Sequence, residues 1–137
     1  MLMIGIDPGK HTGIAIYNTG MKELILCSTL LIHKAMDVIS ALDHSDVFVR
    51  VEDARLRKWF GKDAYLKKQG AGSIKRDCTI WEDFLNDKKI PHEMIHPLKG
   101  STKLSTEMFF NITGYKGRTS NHARDAAMLV FGISSKK

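Results

Sequence analysis

Cysteine is almost missing from this chain: only Cys27 and Cys78 occur in 137 residues. Cys27 lies in an apolar strand-like run and Cys78 in a helical one, and neither belongs to a CxxC or Cys/His ligand spacing. The pattern argues against a disulfide framework or a structural zinc site, and both thiols are expected to be reduced core residues in a reducing compartment. Long apolar runs are missing too. No stretch approaches a membrane span, and the first residues lack a basic segment followed by an apolar one, so a cytoplasmic protein is expected. Internal repeats, low-complexity tracts and linkers are also absent. One domain over residues 1–137 follows, and 43% hydrophobic residues suffice for one sizeable core.

Acidic residues are in deficit. Lys and Arg number 21 against 15 Asp and Glu, a net charge of +6, which favours a polyanionic partner through counterion release from phosphates. Arg55, Arg57, Lys58, Lys62, Lys67, Lys68, Lys75 and Arg76 crowd the stretch after Glu52, interleaved with Trp59, Phe60 and Tyr65. That mixture suits backbone phosphates and stacked bases. It also suits a solvated face whose lysine stems cover apolar surface.

Three apolar runs come first, at 2–7, 13–18 and 23–32, joined by Pro8-Gly9 and by Asn18-Thr19-Gly20. They read as three antiparallel strands in a meander. The spacing of Ala35, Met36, Ile39 and Leu42 predicts an amphipathic helix over 33–43. Residues 47–52, β-branched and apolar apart from Arg50, suit a parallel strand buried on both faces. A helix from about 70–72 to Asp87, a strand at 91–95 and a helix over 101–110 capped by Ser101 follow, then a polar loop at 111–120. The last helix spans about 121–133. Hairpins followed by crossover helices give an α/β fold, β-β-β-α-β-α-β-α, with a mixed sheet flanked by helices.

Two strands end on acids. Right-handed crossovers set the 47–52 strand beside the first, so Asp7 and Glu52 emerge at one edge. Pleat alternation sends Glu52 and Asp53 to opposite faces, and Glu52, which ends the apolar run, is the one expected to meet Asp7. His122 and Asp125 stand three apart on the last helix, where small alanines allow close approach to the sheet. Asp7, Glu52, His122 and Asp125 thus supply a donor set for divalent ions such as Mg²⁺, two of which would clamp a phosphodiester. Each member also has an ordinary reading: Asp-Pro-Gly as turn chemistry, Glu52 as a surface acid, and His122 and Asp125 as a polar helix face.

The segments Gly5-Ile6-Asp7-Pro8-Gly9 with Thr12-Gly13, Val51-Glu52 and His122-Ala123-Arg124-Asp125-Ala126-Ala127 resemble the RuvC family of Holliday-junction resolvases, in the RNase H-like superfamily. The resemblance spans nearly the whole chain. It implies a five-stranded RNase H-like sheet and a homodimer that binds four-way DNA junctions and nicks two strands of like polarity symmetrically. It further implies that Asp7, Glu52 and Asp125 are carboxylate ligands of Mg²⁺ or Mn²⁺, and that His122 is a ligand or a water-orienting base. Lys99 to Lys103 is similar to the family's lysine-bearing segment, and Lys103 would contact phosphate near the cut. Arg55, Arg57, Lys58, Lys75, Arg76, Lys99 and Arg118 would join it on DNA, and Trp59 or Phe60 would enter the junction centre. The stretch after Glu52 departs from the family. The short chain resembles the compact resolvases of bacteriophages or prophages.

Three other readings compete. A ribosomal RNA precursor-processing nuclease of the same superfamily shares the first acid, but usually opens on a different turn. An actin-like or sugar-kinase phosphotransferase requires two large domains and a second phosphate loop. A non-catalytic nucleic-acid-binding module would have lost at least one acid, and none is missing here.

Overall fold

The computed structural model describes residues 1–56, 72–97 and 104–133. β1 (Leu2–Asp7) and β2 (His11–Asn18) form an antiparallel hairpin. Its turn is braced by the Thr12 hydroxyl, which donates to the Gly9 carbonyl at 2.7 Å. β3 (Glu23–Leu31) completes the expected meander after a turn in which the Asn18 side chain accepts from the Gly20 and Met21 N–H groups. The chain then passes through α1 (Ile32–Ser40) to β4 (Val47–Glu52), which pairs in parallel with β1. α2 (Gly72–Asp87) leads to β5 (His92–Ile95), parallel to β4, and α3 (Thr106–Thr113) and α4 (Asn121–Met128) follow. The sheet order is β3-β2-β1-β4-β5, the mixed five-stranded sheet expected from the sequence.

Alternation along the strands builds a core on each face. Ile4, Ile6, Ile14, Ile16, Val47, Val49 and Val51 pack with Ala35 and Ile39 of α1 and with Trp81 and Leu85 of α2. Met3, Ala15 and Tyr17 pack on the other face with Ala123, Ala126 and Ala127 of α4 and with Phe109 of α3. Each fully buried Ile, Val or Leu contributes roughly 1.5–3 kcal/mol of transfer free energy. Cys27 and Cys78 are free and buried. Burial pushes the Cys27 thiol up to about 12, against a smaller opposing pull from Arg124, so it stays protonated, donating to the Ala123 carbonyl at 3.2 Å.

Some boundaries differ from the sequence reading. β2 starts at His11, and α1 ends at Ser40, where a short 3-10 turn, His44–Asp46, takes over. The third helix begins after Ser105, whose hydroxyl accepts from the Met108 N–H at 3.1 Å. The expected cap, Ser101, lies outside the described residues. That helix runs into the supposed polar loop as far as Thr113, where Gly114 at φ +73 ends it. α4 stops at Met128, short of 133, and gives way to turns that reach Gly132 at φ +78.

Candidate active site

The β1–β4 register pairs Ile6 with Val51, so Asp7 and Glu52 are the next pair along, at adjacent strand ends. Both face the α4 side. Asp7 keeps step with Met3 and Gly5, and Glu52 with Arg50, whose guanidinium donates to the Leu129 carbonyl just past α4 at 2.6 Å. Asp53 turns to the opposite face and is buried, 2% exposed.

α4 lies directly on the hairpin. A Cβ on Gly5 would overlap the Ala126 carbonyl, and one on Gly13 the His122 carbonyl. These two strand glycines allow a helix backbone to rest on a sheet backbone. The Ser120 hydroxyl caps α4 by accepting from the Ala123 N–H at 3.1 Å, and pairs with Thr29 of β3. The helix start is thereby held over the end of β1.

His122 then meets Asp7: its Nδ1 lies 3.0 Å from Asp7 Oδ2, with side chains 59% and 17% exposed. With the carboxylate ionised, Nδ1–H is the donor, and in the neutral ring the lone pair is then on Nε2. Asp125, part-buried, lies three residues on along the helix.

Two arginines without an assigned role in the sequence reading hold this arrangement together. Arg124 is only 8% exposed. Its guanidinium donates to the Leu104 carbonyl (2.9 Å), to the carbonyl and hydroxyl of Thr119 (2.8 and 2.9 Å), to Asn121 Oδ1 (2.6 Å) and to Thr106 Oγ1 (3.3 Å). It ties the start of α3 to the start of α4. Arg50, the discordant residue of an apolar strand, bonds Glu93 on β5 at 2.8 Å as well as the end of α4.

Arg55, expected on DNA, faces inward. It donates to both Asp53 oxygens (2.8 and 2.7 Å) and to Glu82 (3.0 Å). Burial raises the Asp53 carboxyl, but hydrogen bonds from the Arg55 side chain and backbone N–H, together with its charge, outweigh this and lower it. Those interactions hold the Arg55 guanidinium above its usual range against the cost of its burial, with the Asp53 hydrogen bond the largest contribution. Lys75 and Arg76 lie near the start of α2, Arg76 70% exposed and 3.8 Å from Asp77. Arg118 is exposed in the loop entering α4. Arg57, Lys58, Trp59, Phe60, Lys99 and Lys103 lie outside the described residues.

The donor set suits a divalent ion in kind, since hard carboxylate oxygens and one imidazole match Mg²⁺ or Mn²⁺. Among the described residues no three His, Cys, Asp or Glu side chains form a group able to hold a metal ion. The assembled part is the Asp7–His122 pair.

No protein-family model matches the chain, and no curated protein does. Among solved structures it is similar to T. thermophilus RuvC in complex with Holliday junction substrate, at 18% identity and a TM-score of 0.57, over 92% of this chain and 88% of that one. The fold is therefore the RNase H-like fold of RuvC. No helix among the described residues is long and apolar enough to cross a membrane.

Proposed function

We propose that this protein is a compact RuvC-type endonuclease, of the kind carried by phages, that cuts branched DNA by metal-dependent phosphodiester hydrolysis, a homodimer nicking two strands of like polarity symmetrically in a four-way junction. One observation carries the reading: on a RuvC fold, Asp7 and Glu52 end adjacent parallel strands on the face where α4 brings His122 to Asp7 and carries Asp125. Asp7, Glu52 and Asp125 would hold Mg²⁺ or Mn²⁺, with His122 as a further ligand or a base. The bound ions would supply positive charge at the scissile phosphate and lower the pKa of the attacking water. The chain's own residues do the rest. Asp7 orients the His122 ring, leaving Nε2 able to accept a proton, and cations around the edge offset the repulsion between carboxylates and phosphate. Arg57, Lys58, Lys75, Arg76, Lys99, Lys103 and Arg118 are the proposed DNA contacts, with Trp59 or Phe60 at the junction centre.

The test is a cleavage assay on a synthetic four-way junction, with matched linear duplex and an RNA substrate as controls. Paired nicks in the junction with Mg²⁺ or Mn²⁺, and an intact duplex, are expected. Preferential cutting of RNA would replace this reading with that of a ribosomal RNA precursor-processing nuclease.

A further inference from the structure

A group of basic side chains that the DNA contacts above do not include lies on the α1 side of the same sheet edge. Lys10 is exposed in the β1–β2 turn, and His33 and Lys34 are exposed at the start of α1. One contact joins the two segments: the Ile32 N–H donates to the Lys10 carbonyl at 3.1 Å. His11, opposite Leu31 in the β2–β3 ladder, keeps step with Gly13, Ala15 and Tyr17 on the α4 face and is not part of this group. The turn is firm, because Thr12, fully buried, bonds Gly9 across it. Lys10 follows Asp7 by three residues, and β3 ends on Leu31 opposite His11, so the group stands at the same strand ends as Asp7.

Among the described residues none of the three forms an ion pair. Lys34 gains nothing from its own helix, whose first turn favours acids and holds none. The nearest acid on α1, Asp37, is exposed about one turn further along. Positive charge kept beside three carboxylates suits a polyanion passing that site.

Resting on the nuclease reading, we propose that Lys10, His33 and Lys34 form a phosphate-binding wall that carries the DNA strand away from the point of cleavage on the α1 side. The two ammonium groups pair with successive backbone phosphates, and the His33 imidazole adds a hydrogen bond to a phosphate oxygen. The wall contacts backbone only and reads no sequence.

Junction affinity measured against salt concentration tests this with the full-length protein. Lys10→Ala/Lys34→Ala should make the slope of log affinity against log salt shallower by about one unit per lysine, about two in all. Lys10→Arg/Lys34→Arg should restore it. Lys88→Ala, exposed at the opposite edge of the sheet, should leave the wild-type slope intact. If wild-type protein cuts the junction and the double alanine variant keeps the full slope, the wall is wrong and the nuclease reading stands. Wild-type protein that binds no junction at any salt overturns both.

Discussion

His122 and Asp7 are 115 positions apart in the chain, yet His122 Nδ1 lies 3.0 Å from Asp7 Oδ2. The contact exists because a serine cap and two strand glycines set the first turn of α4 on the end of β1. Helix-to-sheet spacing and site geometry are thus one property of the fold.

Gly13→Ala tests that coupling. Its new Cβ would overlap the His122 carbonyl, which is backbone and can yield only by moving α4. A loss of about 3 kcal/mol is expected in urea unfolding, at the upper end for overpacking. Cleavage should fall further than the unfolded fraction explains, since the displaced helix carries His122 and Asp125.

Arg124→Ala should cost about 3 kcal/mol, because it leaves buried acceptors on Leu104, Thr119 and Asn121 without their donor. Arg124→Lys should recover little, since an ammonium cannot reproduce the planar fork. Thermal unfolding of the two variants measures this. A lysine variant as stable as wild type would show that charge alone matters there.

Asp53 and Arg55 give a pH-dependent prediction. The folded Asp53 carboxyl is held below its unfolded value, so its contribution is fully present above about pH 4 and is lost as pH falls through the folded value. Asp53→Asn should destabilise the protein by about 2 kcal/mol at neutral pH and flatten stability against pH below about pH 4. Arg55→Ala should also destabilise, while leaving the salt slope of DNA binding unchanged. A slope shallower by about one unit would return Arg55 to the DNA.

Much of this was legible in the sequence because it is local or periodic. Strands 2–7 and 47–52 each end an apolar run on an acid, and pleat alternation alone sets Glu52 apart from Asp53. The three-residue spacing of His122 and Asp125 needs only the helix repeat. The Arg124 hub was not legible, because its acceptors at 104, 106, 119 and 121 include main-chain carbonyls that only tertiary packing brings together. Arg55 misled because a basic run gives no sign of which cation turns inward. Here the buried Asp53, two residues earlier, captured it. The helix cap was expected at Ser101, and the structure places the described helix start after Ser105.

The central claim is that Asp7 belongs to a metal-dependent site for cutting branched DNA, and Asp7→Asn, nearly isosteric, addresses it most directly. Wild-type and variant protein are compared for cleavage of a four-way junction in Mg²⁺ or Mn²⁺ and, in parallel, for binding of the same junction. The account predicts that cleavage is abolished while binding is kept or strengthened, because one negative charge facing phosphate has gone. An Asp7→Asn variant that cuts as fast as wild type would contradict it.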